Sequence, residues 1–348
     1  MTLHLAENTD LPNGTRLLEA SAGAHPKTNF PKSRKPKKSP RRRADLYQDV
    51  TDTVIEQLEA GAVPWVQPWG RPDVKTPFGM PTNAHTGRTY SGINILLLWG
   101  AAIDTGRTTQ TWLTYKQAQA MGAQVRKGER GTSVCYADTF IPKAEKARAK
   151  EMGDDPQKVG FLKRYTVFNA DQCEGLPEEF FKGVQPSPPC ESILIAEKLI
   201  AATGADFRIG GDKAFFSPKE DFIQVPPQPS FFEQINYYRT CFHELGHWTG
   251  HKSRLDRNLK SKFGTKDYAR EELVAEMATA FICAALGIVP TVRHTDYLAS
   301  WLKVIKEDKR AIFRAASLAS KAADYILAFQ APDKADAAAL SSKMEIAA

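Results

Sequence analysis

No apolar run in the 348-residue sequence approaches the ~18 residues that a membrane span requires. The strongest candidate, Ile93 to Trp99, is seven residues long. The N-terminus carries no apolar run after its first residues, which argues against a secretory signal. Cysteine is scarce: the five (Cys135, Cys173, Cys190, Cys241, Cys283) are scattered, odd in number and form no CxxC pair. That excludes a disulfide framework and a cysteine-based zinc site, and it points to a reducing cytoplasm. The sequence also lacks any extreme of composition. Hydrophobic residues are 42% and charged residues 25%, which excludes a fibrous, collagen-like or wholly disordered chain. At roughly 100–200 residues per domain, the length predicts two domains.

Acid is missing from one stretch. Residues 27–43 hold nine Lys or Arg and no Asp or Glu, and this run accounts for the formal charge of +7. The chain from 44 onward is neutral. A Pro-, Ser- and Lys-rich run with few apolar residues cannot offset its ordering entropy, so 1–43 is expected to be a disordered basic tail. Such a tail attracts phosphate backbones without sequence preference, or it serves only to solubilise the chain.

Periodicity divides the remainder. Tyr47, Val50, Val54, Ile55 and Leu58 recur at helical steps, and Gly61 and Pro64 close that helix. TWLTYKQAQAMG reads as a helix ending at Gly122. VRKGERGTSVCYADTF reads as a turn and a strand, 142–160 as an exposed polar excursion, and KRYTVFNADQCEGLP as a returning strand. Four prolines within 176–190 mark a linker. Beyond it come a helix, an alternating stretch (205–226) that suggests a small antiparallel sheet, and four helical segments. The expected architecture is α+β. A mixed α/β domain spans 44–177, a linker 178–190, a mainly helical domain with a small antiparallel sheet 191–330, and a frayed terminus 331–348.

The sharpest chemical signal is His243-Glu244-Leu245-Gly246-His247. Helix positions i and i+4 share a face, so two imidazoles can hold one metal ion while Glu244 reaches an activated water. Zinc, or another divalent metal, lowers the pKa of that water to about 7. Glu244 is the candidate general base. Among Glu271, Glu272 and Glu276 on the following helix, the spacing favours Glu272 as third ligand and Glu276 as an acid supporting a ligand histidine; Glu271 is expected to face away. His251 is a rival ligand, also four residues beyond His247. Tyr297 and His294 could stabilise an oxyanion, although core packing beside Trp301 suits Tyr297 better.

Aromatic residues and cations are interleaved in the first half: Trp65, Trp69, Arg88, Tyr90, Trp99, Trp112, Tyr115, Lys116, Arg126, Lys127 and Arg130. Aromatic platforms beside cations suit single-stranded nucleic acid, because every base has a face to stack on. The competing reading is that these rings are core.

The chain resembles the ArdC-type antirestriction proteins of conjugative plasmids, which are related to TraC-type primase N-terminal regions. The resemblance spans about 45–330. It rests on VPWVQPW (63–69), PTNAHTGRTYSGINILLLW (81–99), TWLTYKQAQAMGAQVRKGERGTSV (111–134), YTVFNADQCEGLP (165–177), HELGHWTGHKSRLDR (243–257) and REELVAEMATAF (270–281). The resemblance implies an N-terminal single-stranded-DNA-binding domain and a C-terminal zincin-like metallopeptidase domain. It also implies a role in protecting incoming conjugative DNA from host restriction. Two modes stay open: coating of DNA with a purely structural metal, or proteolysis of a host protein such as a restriction-enzyme subunit. The implied place of action is the cytoplasm, including that of the recipient cell.

Overall fold

The computed structural model describes residues 45–60, 63–65, 79–181, 189–259, 264–289 and 298–330, with the backbone alone for 189–192. The basic tail, Trp69, His294, Tyr297, residues 182–188 of the expected linker and the C-terminal segment lie outside the described residues.

Helix α1 (Leu46–Glu59) starts at Asp45, whose carboxylate accepts from the Tyr47 backbone N–H at 3.1 Å. It buries Val50, Val54 and Leu58, three of the five positions that the periodicity singled out. The apolar run forms α2 (Ile93–Asp104), which is buried on two sides. Ile93, Ile95, Leu96 and Trp99 join the main core, whereas Leu98 and Ala102 pack with Trp112, Val134 and Val167 under a sheet. That sheet has the order β1-β2-β5-β4, formed by β1 (Thr82–Asn83), β2 (Thr111–Leu113), β4 (Thr132–Phe140) and β5 (Val159–Asn169). Only the β1–β2 pair is parallel. A second pair, β3 (Gln124–Val125) and β6 (Cys173–Glu174), is antiparallel.

TWLTYKQAQAMG is not one helix. Thr111, Trp112 and Leu113 suit a pleated strand and pair on both sides as β2. The helix, α3 (Tyr115–Ala120), begins only after Thr114, which forms a capping box with Gln117. The polar excursion contains α4 (Lys143–Met152), which buries Ala149 alone. Asn94 of α2 bonds both the N–H and the carbonyl of Cys135, at 2.8 Å each, and so closes part of the β4 edge.

The second half opens with α5 (Pro189–Ala202). Its sheet has the order β7-β9-β8, from β7 (Asp206–Ile209), β8 (Phe215–Ser217) and β9 (Phe222–Val225). This sheet is mixed, not antiparallel throughout: β8–β9 is antiparallel and β7–β9 parallel. The apolar β9 is central, and the tight β8–β9 turn leaves β7 the opposite side, where it runs in the direction of β9. Four α-helices follow among the described residues: α6 (Gln234–Trp248), α7 (Lys266–Ala285), α8 (Leu298–Glu307) and α9 (Ala311–Leu327). Among the described residues no helix is long and apolar enough to cross a membrane.

The two halves share one core. Trp65 meets Trp301 edge-on at 5.5 Å, and Trp99 meets Phe281 at 5.8 Å. Thr51 donates to the Lys309 carbonyl (2.8 Å), and the Gly92 N–H donates to the Ser320 hydroxyl (2.8 Å). Trp65 and Trp99, expected as base-stacking platforms, are fully buried. They fill the space between α1, α2 and the C-terminal helices, where no base can reach them.

Candidate metal centre

Helix α6 enters the core along most of its length, and residues 238–246 are all buried. Helix α7 packs against it in the reverse direction. Gly246 permits the close approach: a Cβ there would lie 3.1 Å from Ala275 Cα and 3.3 Å from Ala275 Cβ. The crossing sets His243 beside Glu272 and Glu276, and His247, one turn on, beside Glu271 and Glu272.

His243 Nε2 is 3.4 Å from Glu272 Oε2, and His247 Nε2 is 3.5 Å from Glu272 Oε1. The rings are 4.9 Å apart and nearly perpendicular. One donor atom from each of His243, His247 and Glu272 lies within 4.8 Å of the others. Tetrahedral bonds of 2.0–2.1 Å separate neighbouring donors by about 3.4 Å, so this N₂O set fits a divalent ion. The remaining imidazole nitrogens also face acids. His243 Nδ1 is 3.4 Å from Glu276, and His247 Nδ1 is 3.3 Å from Glu271. Acids so placed fix which ring nitrogen is presented to a metal.

Glu271 therefore does not face away. Because the helices run in opposite directions, the start of α7 meets the end of α6, and Glu271 is drawn under His247. Arg257 holds it there with two bonds, Nε–Oε2 at 3.0 Å and Nη2–Oε1 at 2.7 Å. The same guanidinium donates to the Gly246 carbonyl (2.6 Å) and the Thr249 hydroxyl (2.8 Å). Gly250 leaves room for it, since a Cβ there would be 2.9 Å from Arg257 Nη2. Glu271 and Arg257 are the residues that sequence reasoning missed. Arg257 comes from a loop with no periodicity, so only its position inside the quoted HELGHWTGHKSRLDR stretch marked it.

His251 stands apart from the donor set. Its Nδ1 is 2.7 Å from the Ser253 hydroxyl and 3.8 Å from Asp221. Arg254 stacks 4.0 Å from Trp248 and pairs with Asp221, which ties the loop after α6 to the β8–β9 turn.

The electrostatics follow from four carboxylates gathered in a buried space. Burial opposes charging of His243, but Glu272 and Glu276 outweigh it and hold the ring's pKa well above the ordinary histidine value. Burial likewise opposes His247, yet Glu271 and Glu272 push it up to about 9. Glu272 is driven far below the usual carboxylate range by the two imidazoles, against its own burial. Glu271 is lowered by His247 and Arg257, again against burial. Glu244 goes the other way: burial raises it, and the neighbouring histidines only moderate the effect. A cavity of about 480 Å³ opens over these groups, and Phe215, Phe216, Arg239, Thr240 and Tyr268 are among its lining residues.

Of the remaining sequence candidates, Tyr90 is half-buried, its hydroxyl accepting from the Asn83 amide at 3.2 Å. Arg88, Lys116, Lys127 and Arg130 are exposed. Arg126 is exposed too, but it is tied to Glu129 (2.8 Å) and to the Asp171 carbonyl (2.5 Å).

The fold and site define the class first: a zincin-like metallopeptidase fold behind a mixed α/β segment. Residues 195–318 match a family described as zincin-like metallopeptidase, and residues 44–168 match the N-terminal domain of anti-restriction factor ArdC. The crystal structure of antirestriction ArdC protein from the R388 plasmid is 40% identical, with a TM-score of 0.68. Its metal-free form covers 82% of this chain and 97% of that one. Its Mn(II)-bound form has the same identity and TM-score and covers 83% and 100%. The chain belongs to the ArdC antirestriction family. A protein of Sinorhizobium fredii, y4eC, is 39% identical over 84% of this chain and 95% of its own length. DNA primase TraC of Escherichia coli is 42% identical over 82% of this chain, and the match spans 27% of that much longer protein.

Proposed function

We propose that this chain binds single-stranded DNA through 44–177 and carries a metal-dependent peptide-hydrolysing centre in 191–330. Together they protect incoming conjugative DNA from host restriction, in the cytoplasm. The carrying observation is the convergence of His243, His247 and Glu272 at the floor of one open cavity, each imidazole backed by its own acid. A zincin-like fold calls for a divalent metal. The manganese in the R388 ArdC crystals shows that in that protein the ion need not be zinc.

His243, His247 and Glu272 would hold the ion, which when bound supplies Lewis acidity to a carbonyl and to water. Glu276 and Glu271, at the two Nδ1 atoms, would hold the rings with Nε2 toward Glu272. Glu244 takes a proton from the attacking water at its carboxylate and returns it to the departing amine.

A second reading has support of its own. The cluster sits between α6 and α7, inside the core shared by both halves, so a metal could serve mainly to bind the helices together while DNA is shielded by coating. Glu244→Gln separates the two. Proteolytic protection requires that this variant keep metal and DNA binding yet lose protection in a conjugation assay. Full protection by the variant would establish coating and end the proteolytic reading, including a restriction-enzyme subunit as target.

A further inference from the structure

The buried tryptophans leave the first half in need of another aromatic surface. The long β4–β5 ribbon supplies one. Its pairing is in register from Thr132↔Val167 to Phe140↔Val159, with Tyr136 opposite Lys163 and Asp138 opposite Phe161. Alternation along the strands therefore puts Tyr136, Phe140, Phe161, Lys163 and Tyr165 on one face.

Along that face the rings form an unbroken chain. Tyr165 to Tyr136 is 5.8 Å, Tyr136 to Phe161 is 6.3 Å, and Phe161 to Phe140 is 5.9 Å between centroids. Tyr136, Phe140 and Tyr165 are 47%, 50% and 47% exposed, although large aromatic side chains are ordinarily buried. Lys163 lies 4.7 Å over Phe161. One acid shares the face: Asp138 accepts from the Tyr136 hydroxyl at 2.8 Å and so orients that ring.

Positive charge continues past the end of the ribbon. Helix α4, which joins the two strands, carries Lys143, Lys146 and Lys150 at i, i+3 and i+7, on one side and all exposed. A lysine stripe alone is ordinary for a solvated helix. Here it begins three residues after Phe140, the last ring of the row. Protein-docking faces are depleted of lysine relative to the rest of a protein's surface. This one offers rings and cations, with Val159 beside Phe140 and with Val134 and Val167 buried at its other end.

The geometry points to the β4–β5 face as a stacking platform for single-stranded DNA, with Tyr136, Phe140, Phe161 and Tyr165 receiving bases and Lys163 and the α4 lysines facing phosphates. This rests on the single-stranded-DNA reading above and gives it a location. Base–aromatic stacking of the usual strength makes each lost ring cost roughly tenfold in affinity. Each lost phosphate contact lowers the slope of log affinity against log salt by about 0.7.

The test titrates fluorescent oligo-dT with the full chain at several salt concentrations. The set comprises wild type, Tyr136→Ala/Phe161→Ala/Tyr165→Ala, the conservative Tyr136→Phe/Tyr165→Phe, and Lys143→Gln/Lys146→Gln/Lys150→Gln. Expected are a loss of at least a hundredfold for the triple alanine variant, near-normal affinity for the conservative one, and a salt slope lower by about 2 for the lysine variant. Metal affinity and thermal unfolding report that each variant is folded. If wild type ignores oligo-dT, the DNA-binding reading itself falls. If wild type binds and the folded alanine variant binds equally well, only this face is overturned. Photocrosslinking of bromouracil DNA to wild type decides the matter even if a variant misfolds: crosslinked peptides from 132–168 support the platform, and crosslinks confined elsewhere refute it.

Discussion

Gly246 lies against Ala275, so near that a methyl group on Gly246 would sit 3.1 Å from the Ala275 Cα. This one contact sets the separation of the two helices that supply every metal-facing group. Gly246→Ala must push α6 and α7 apart, at a cost of about 1–3 kcal/mol. Chemical unfolding of metal-free and metal-loaded protein should show lower stability in both and weaker metal binding. Unaltered values would mean that the helix spacing is not limiting.

Glu271 links Arg257 to His247. Replacing Glu271 by Gln, or Arg257 by Met, leaves the three metal-facing groups intact but frees the His247 ring to turn. Metal affinity should fall by about 10–100-fold, as for other groups that orient a ligand. Competition with a chelating indicator measures this directly, and Glu271→Gln at wild-type affinity would assign Glu271 to packing alone.

Protons would compete with a bound metal for the same two rings. His247 is raised to about 9 in the folded metal-free chain, against about 6.5 for an ordinary histidine. Its contribution to stability is complete below pH 6.5 and is lost as pH climbs toward 9. Glu271 and Glu272 are lowered, so their contribution is present above the ordinary glutamate value and is lost as pH falls below it. Metal-free protein should thus melt highest between about pH 5 and 6.5. The gain in melting temperature on adding metal should widen from pH 6.5 to 9; a gain independent of pH would rule out this competition.

Trp99 donates its indole N–H to the Gly79 carbonyl at 2.9 Å and packs on Phe281. Trp99→Ala should cost about 3–5 kcal/mol, as large core truncations do. At a temperature where the variant is still folded, its affinity for oligo-dT should match wild type. A selective loss of DNA binding would return Trp99 to the interface.

Legibility in the sequence followed the range of the interaction. The i, i+4 spacing of His243 and His247, and that of Glu272 and Glu276, is a property of one helix turn, so both pairs were readable before any packing was known. Glu271 was misread because its direction depends on which way α7 runs against α6. Trp65 and Trp99 were misread for a related reason. A local pattern of rings and cations looks the same whether the rings face solvent or the far half of the chain. TWLTYKQAQAMG carried a helix-like composition, and two neighbouring strands overrode it at Thr111–Leu113.

By itself the sequence determined the α+β character, the candidate metal-ligating residue types and their spacing, and the placing of its excess charge in 27–43 rather than in the rest of the chain. These depend on bonded geometry and on sums over residues. Tertiary structure alone decided which acid stands behind which histidine, which aromatics are core, and which face of the β4–β5 ribbon is open. Those outcomes belong to helix crossings and strand registers, where residues far apart in the chain compete for the same space.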